Sequence, residues 1–340
     1  MIDYESSGVN LQAADSIKAQ ISRLVADTYT KDVITTGSEF AGIIRLGDTD
    51  EAIVVSVDGV GTKLLVAIMM NLHNTVGVDL VNHCVNDIAV TGCDPICFVD
   101  YISIGKVDEN IILEIISGLA KGCSNNGVPL VGGETAQMPD MYKEGEYDLA
   151  GAIVGKVNLS NQLPKTDIQP GDSIVANRSN GLHTNGYSLA RNIVFDVNGW
   201  GVDTYCEEFG RSWGEELLTV HRSYLDFIKR YRTSRGMRGF AHITGGGIAG
   251  NLARILGDEI TAIVRKDAIP EVPVFRVLQE AGSIDEMEMY RVFNMGAGLI
   301  TVCSQELAEE ILCSEEYGPD TRIIGEIIGS EPSNRRIQLV

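Results

Sequence analysis

Residues 56–63 read SVDGVGTK, placing a carboxylate (Asp58), two glycines (Gly59, Gly61), a hydroxyl (Thr62) and an ammonium group (Lys63) within six positions. The run follows EAIVV, an apolar β-branched stretch that reads as a strand, so Asp58 should stand where the strand ends and the chain turns. Such a corner suits an anion and its metal. Glycines let backbone N–H groups approach a phosphate, Lys63 could neutralise it, and Asp58 could hold Mg²⁺ against it. Asp-Gly is also a common turn pair, so the octet alone is equally compatible with a plain turn.

The same grammar recurs. In LVGGETAQMPDMY, Glu134 follows Gly132 and Gly133 at an expected strand end. In VNHCVNDIAV, Asp87 sits among apolar residues of an expected helix, where an ionised acid is costly without a cation or donor. Asp58, Asp87 and Glu134 could jointly hold Mg²⁺ bridging a polyphosphate, although spacing alone does not make them converge. In SNGLHTNGYS, His183 and Asn185 lie among glycines and small polar residues, a setting for phosphate contact or proton transfer and equally for a structural turn. His83, between valines on the expected helix, reads as a packed histidine. A G-x-G-x-x-G pattern at Gly245, Gly247 and Gly250 follows only the short run FAHIT, so a helix-opening turn is favoured over a dinucleotide site. The chain has no G-x-x-x-x-G-K-[ST].

The elements that must position these groups follow from periodicity. NLQAADSIKAQISRLVADTY places Leu11, Ala14, Ile17, Ile21, Leu24 and Val25 on one helical face. EAIVVSVDG, ICFVDYISIG, VPLV and YDLAGAIVGKV read as strands, with helices in NTVGVDLVNHCVNDIAV and NIILEIISGLAKG. The polar, proline-containing segment NLSNQLPKTDIQPGD marks a boundary between domains 1–165 and 166–340. Beyond it, ELLTVHRSYLDFIKRY reads as one helix, and GFAHITGGGIAGNLARIL as strand, glycine loop and helix. Strand pairs mix with helices in both halves, which favours an α+β class.

Composition narrows the rest. The 340 residues carry a formal net charge of −20, which argues against nucleic acid and against an anionic membrane surface. No apolar run approaches the length of a membrane span, MIDYESSGVN lacks signal-peptide character, and seven cysteines form no C-x-x-C pair. A cytoplasmic location is the expectation. A phosphate ligand would have to be held by local positive potential or cations against this global field.

Seven blocks in order, VSVDGVGTK, GVDLVNHCVNDIAVTGCDPICFVDY, LVGGETAQMPDMY, YDLAGAIVG, NGLHTNGYSLAR, HITGGGIAGNLARIL and FNMGAG, resemble the phosphoribosylformylglycinamidine cyclo-ligase (aminoimidazole ribonucleotide synthetase) family over nearly the whole chain. The resemblance implies ATP-dependent ring closure of formylglycinamidine ribonucleotide to aminoimidazole ribonucleotide, ADP and phosphate. In the family's proposed mechanism the formyl oxygen attacks the γ-phosphate, and the amidine nitrogen then attacks the activated carbon and expels phosphate. It also implies an N-terminal domain whose strands join a second subunit's into a barrel, a C-terminal α/β sandwich domain, and a homodimer. By this similarity Asp58, Asp87 and Glu134 serve Mg²⁺, and Asp58, Lys63 and His183 are catalytic. The nucleotide is held by Asp58, Gly59, Gly61, Thr62, Lys63, Gly132, Gly133, Glu134, Asn185 and Gly245, Gly246 and Gly247, with Asn294 a wall residue. TTGSEFAGII departs from the family's glycine-richer run, leaving Gly37 and Gly42 as lesser candidates. Thiamine monophosphate kinase chemistry and a non-catalytic ATP sensor are the rivals, distinguished by products.

Overall fold

The structure, a computed structural model, describes residues 11–35, 39–329 and 336–340. Tyr4 and Gly37 lie outside them. The first half runs α1 (Leu11–Ala26), β1 (Gly42–Arg45), β2 (Glu51–Gly59), α2 (Lys63–Met70), α3 (Asn74–Ala89), β3 (Asp94–Ile104), α4 (Glu109–Asn125), β4 (Leu130–Gln137) and β5 (Tyr147–Asn158). Its sheet has the order β1-β2-β5-β3-β4, antiparallel throughout except for the parallel β3/β4 pair at one edge. Alternation decides its two faces. Ala52, Val54, Phe98, Ile102, Leu149 and Ile153 are buried, and α3 packs against β2, β3 and β5. Val55, Val57, Tyr101 and Val131 remain exposed in the same sheet. The α3/α4 contact is close because a side chain at Gly77 or Gly118 would strike the facing helix's backbone at 2.4 or 2.2 Å.

The second half runs β6 (Ser173–Arg178), α5 (Tyr187–Arg191), β7 (Tyr205–Cys206), β8 (Arg211–Ser212), α6 (Trp213–Leu217), α7 (Leu225–Tyr231), β9 (Met237–His242), α8 (Gly247–Leu252), β10 (Ile260–Val264), α9 (Pro273–Gly282), α10 (Glu286–Val292), β11 (Ala297–Cys303), α11 (Gln305–Cys313), β12 (Thr321–Gly329) and β13 (Ile337–Leu339). The sheet order is β13-β10-β12-β6-β11-β9, mixed because β10 and β13 are parallel. Its buried positions feed cores on both faces: Val175, Phe240 and Leu299 on one side, Ile174, Ala176, Ala241 and Ile300 on the other. Both main sheets are mixed and open within one chain. The expected barrel is absent from a single chain, since β1 and β4 stand at opposite edges of the first sheet and do not pair with each other.

Two local expectations are corrected. Residues 216–231 do not form one helix: α6 stops at Leu217 and α7 starts at Leu225, because polar side chains of the other half take the backbone groups in between. Glu134 lies within β4 rather than after it, since the parallel ladder with β3 continues through Gly132 and Gly133. The expected first helix forms as α1, and on its apolar stripe Ile17, Ile21 and Leu24 are all more than half exposed.

Candidate active site between the two halves

Helix α3 is buried along its length on two opposed grounds. Val76, Leu80, Val81, Val85 and Ile88 face the first half's core. The remaining stripe, Asp79, Asn82, His83, Asn86 and Asp87, follows helical spacing and is buried against the second half. Residues 219–224 cross this stripe without helical structure, and their backbone groups are satisfied by it. The His221 N–H donates to Asp79 Oδ1 at 2.7 Å, and the Tyr224 N–H to Asn86 Oδ1 at 2.8 Å. Asn82 Nδ2 donates to the His221 carbonyl at 2.7 Å, and Asn86 Nδ2 to the Arg222 carbonyl at 2.9 Å. A buried loop is stable only when its backbone is paired in this way.

Four of the chain's five histidines meet here, from four different segments. His83 Nε2 lies 3.7 Å from Asp58 Oδ1 and 3.7 Å from Asp87 Oδ2. His83 Nδ1 is 2.8 Å from Thr184 Oγ1, which is 3.3 Å from His221 Nδ1. His221 Nε2 is 3.0 Å from His242 Nε2, and His242 Nδ1 is 2.7 Å from Asp87 Oδ1. Asp58 reaches this cluster from the end of β2 and Asp87 from the last turn of α3. His242 ends β9, and Thr184 belongs to the loop after β6.

Burial dominates the electrostatics. It pushes Asp58 up to about 6, a rise opposed by His83 and aided by Asp87. Asp87 is likewise raised by burial, against the pull of His83. His242 is pushed down to about 3 by burial, and His183 and His221 fall well below the ordinary histidine value for the same reason. Burial therefore favours neutral imidazoles at His183, His221 and His242 and makes both carboxyls hold a proton more tightly than they would in water. Asp58 and Asp87, close enough to share a hydrogen bond, are hard oxygen donors of the kind Mg²⁺ takes.

The other expected residues are distributed unevenly. Lys63 is sealed from solvent, and its three donors go to Asp79 Oδ1 at 2.8 Å, the His183 carbonyl at 3.1 Å and the Thr219 carbonyl at 2.7 Å. Its expected phosphate contact is corrected to an anchor between the halves, because no donor remains for a ligand. His183, held at φ +63°, is also buried; its ring stacks on His221 at 4.1 Å, with both nitrogens unpartnered. The expectation that His183 faces substrate is corrected on that ground. Register places Asp58, Gly151, Asp100 and Gly133 in one row, and Gly59, Ala150, Tyr101 and Glu134 in the next. Successive rows point to opposite faces, so Glu134 stands on the exposed face and does not join Asp58 and Asp87 within one chain.

Gly61 keeps a positive φ of 74° with open space around it, and Thr62 Oγ1 is 3.2 Å from Ser188 Oγ of the second half. Gly245 packs near Asn185 Oδ1. Gly246 caps α8, and Asn251 Nδ2 ties the loop by donating to the Thr244, Gly245 and Gly247 carbonyls. At Gly247, φ is +62° and a side chain would strike the Tyr290 carbonyl at 1.9 Å, so only glycine fits. Asn294 braces the loop around Gly181. Gly42 lies in β1. A cavity of about 340 Å³ beside β10 and β12, lined by Ser173, Arg265, Gln305 and Glu326, contains none of these residues.

Two participants in the cluster, His83 and His221, were missed in the sequence, as was Asp100, an acid on the same sheet face as Asp58. His83 reads as a packed histidine, yet it bridges the two acids. His221 was hidden by the expected continuous helix. Asp100 had a visible signal: in ICFVDYISIG it alternates with Phe98 and Ile102, the buried set. Its carboxylate leaves no room for a side chain at Gly133, where a Cβ would come within 2.4 Å.

Comparison with known proteins decides the family. The AIR synthase related protein N-terminal domain matches residues 38–157, and the C-terminal domain of the same family matches residues 169–337. The chain is 40% identical over 332 residues to a phosphoribosylformylglycinamidine cyclo-ligase of Thermoanaerobacter pseudethanolicus, covering 97% of this chain and 98% of the relative. It belongs to the phosphoribosylformylglycinamidine cyclo-ligase family. Other cyclo-ligases of this family are similar to the same degree: that of Syntrophotalea carbinolica is 42% identical, covering 96% of this chain and 95% of the relative. That of Geobacter sulfurreducens is 40% identical, covering 99% and 98%. Solved structures share the cyclo-ligase chain's fold at low identity. A thiamine-monophosphate kinase from Stenotrophomonas maltophilia superposes with a TM-score of 0.62 at 18% identity, covering 94% of this chain and 95% of that one. AaThiL complexed with AMPPCP and TMP gives 0.64 at 12%, covering 94% and 92%.

Proposed function

We propose that this chain closes the imidazole ring of formylglycinamidine ribonucleotide, using ATP and releasing aminoimidazole ribonucleotide, ADP and phosphate, a step of purine biosynthesis. The observation that carries this reading is the near full-length identity to cyclo-ligases across both domains. The substrate's formyl oxygen takes up the γ-phosphoryl group, which turns a poor leaving oxygen into a good one. The amidine nitrogen then attacks that carbon and phosphate departs. Most of the enzyme's task is positioning and charge neutralisation.

Asp58 and Asp87 are the residues that would hold Mg²⁺, which when bound neutralises phosphate charge. Their paired carboxyls, Asp58 half-buried and Asp87 buried, have raised pKa values that support that assignment. The open turn Gly59 to Thr62 offers backbone N–H groups to the nucleotide phosphates. From the second half, Asn185 and the Gly245 to Gly247 loop close the other wall. Glu134 and Gly132 lie on the exposed sheet face and would act only where a second subunit meets it, whereas Gly133 shares the row of Asp58 and Asp100 on the opposite face.

A homodimer, with the first sheets of two subunits joined into a barrel, accounts for that face. Val55, Val57, Tyr101 and Val131, together with Ile17, Ile21 and Leu24 of α1, expose apolar surface that association would cover. The domain boundary falls at residues 165/166, between β5 and β6. Among the described residues no helix is long and apolar enough to cross a membrane. A cytoplasmic site of action suits a biosynthetic step of this kind.

The test is an assay of the purified protein with ATP, Mg²⁺ and formylglycinamidine ribonucleotide, following phosphate and aminoimidazole together. Equal amounts of both are expected. Phosphate without aminoimidazole would refute ring closure.

A further inference from the structure

A chain of hydrogen bonds runs from Asp87 through the second half and back to His83. When Asp87 is ionised, as a ligand to a cation must be, its Oδ1 takes a hydrogen from His242 Nδ1 at 2.7 Å. A neutral His242 is then bare at Nε2 and accepts from His221 Nε2 at 3.0 Å. Asn86 Nδ2 stands farther from that His221 nitrogen, at 3.3 Å, and donates to the Arg222 carbonyl at 2.9 Å. His221 Nδ1, bare in turn, accepts from the Thr184 hydroxyl at 3.3 Å, and the Thr184 oxygen accepts from His83 Nδ1 at 2.8 Å. This direction leaves His83 Nε2 with a lone pair and no hydrogen. That nitrogen lies 3.7 Å from Asp58 Oδ1 and 3.7 Å from Asp87 Oδ2, beyond hydrogen-bond reach of either, on a side chain only 7% exposed. Two carboxylate oxygens and an imidazole nitrogen thus face one space, an arrangement that a cation satisfies.

We propose that Asp58, His83 and Asp87 form one metal site, with His83 Nε2 as its nitrogen ligand, and that this site binds a divalent first-row transition ion such as Mn²⁺ more tightly than Mg²⁺. This rests on the reading of Asp58 and Asp87 as metal ligands and adds the nitrogen to it. A cation with ligands about 2.1 Å away at angles of about 90–110° holds them roughly 3.0–3.4 Å apart, so the His83 separations need to close by less than about 1 Å. Mg²⁺ takes oxygen ligands and keeps several waters, so the two acids alone serve it. Imidazole suits the softer transition ions, and a mixed nitrogen and oxygen set raises their affinity over that of Mg²⁺. Both braces come from the second half: His242 orients Asp87, and Thr184 orients the His83 ring. The ligands are therefore aligned only when the two halves are packed together.

The test uses the full-length protein with an equimolar amount of Mn²⁺, examined by pulsed electron paramagnetic resonance with histidine at natural abundance and then labelled with ¹⁵N. A directly bound imidazole nitrogen is expected as a nuclear modulation that changes on labelling. His83→Gln, which puts an amide oxygen in place of the nitrogen, should keep Mn²⁺ bound and lose that modulation. In titration calorimetry the wild type should bind Mn²⁺ more tightly than Mg²⁺, and His83→Leu should weaken Mn²⁺ at least about 10-fold while Mg²⁺ changes less than about 3-fold. Bound Mn²⁺ without histidine modulation in the wild type would overturn the proposal, as would modulation that persists in a folded His83→Leu, or Mn²⁺ held no more tightly than Mg²⁺. If Mn²⁺ binding is lost in Asp87→Asn but the wild type shows no nitrogen, the His83 ligand fails and the acids stand as metal ligands. A wild type that binds no Mn²⁺ overturns this site. Should the wild type make no aminoimidazole, ring closure fails as the function, while the nitrogen modulation still decides this proposal.

Discussion

Lys63 Nζ lies 2.8 Å from Asp79 Oδ1, and both side chains are sealed from solvent where the two halves of the chain meet. The ammonium also holds the His183 and Thr219 carbonyls, so one residue of α2 ties two second-half loops to α3. Removing one partner of a buried pair leaves an uncompensated charge, at a cost of about 3–5 kcal/mol. Lys63→Met should therefore lower the denaturation midpoint sharply. Adding Asp79→Asn should restore part of the stability, because an amide leaves no buried charge. Equal loss in the single and double variants would show that the charge is not what matters.

Asp87→Asn should reduce Mg²⁺-dependent turnover by at least about one order of magnitude, on the scale of lost phosphate stabilisation. Titrating Mg²⁺ at saturating ATP reads this directly. An unaltered Mg²⁺ dependence would remove Asp87 from the metal assignment.

The carboxyl of Asp58 has its pKa raised from 3.8 to about 6 by burial. The folded protein thus binds this proton more tightly than the unfolded chain does, so the associated stability is complete below pH 3.8 and is lost as pH rises through about 6. In metal-free protein, the melting temperature of Asp58→Asn minus that of the wild type should increase from pH 4 to pH 7 and then level off. Mg²⁺ should stabilise the wild type most at the upper end of that range. A pH-independent difference between the two proteins would refute the shift.

The exposed face of the first sheet should be a subunit interface. Val57 and Val131, 66% and 61% exposed, sit on it in β2 and β4. A Val57→Lys/Val131→Glu double variant should sediment as a monomer where the wild type sediments as a dimer. A wild type that is monomeric at micromolar concentration would refute the interface.

Much of this protein could be read from local sequence. The apolar, β-branched run EAIVV and the apolar run of YDLAGAIVGKV were readable as strands, and they form β2 and β5, where burial alternates because one face of the sheet is covered. Asp58 and Asp87 were visible as acids in apolar company, a placement that needs a compensating partner. The glycine loop from Gly245 to Gly247 was legible as the opening of a helix. What tertiary structure alone decided concerns groups satisfied across the chain. ELLTVHRSYLDFIKRY has helical periodicity throughout, yet it is broken at Leu218 to Tyr224, because Asp79, Asn82 and Asn86, more than 130 residues earlier, replace its helical hydrogen bonds. Lys63 looked like a phosphate ligand because nothing nearby in sequence reveals that Asp79 and two distant carbonyls consume its donors. Glu134 shared the spacing of Asp58 but not its face, which strand register determines. His83 joined the site the same way: a helix histidine among valines meets Thr184, and through it His221, only when the other half packs against it.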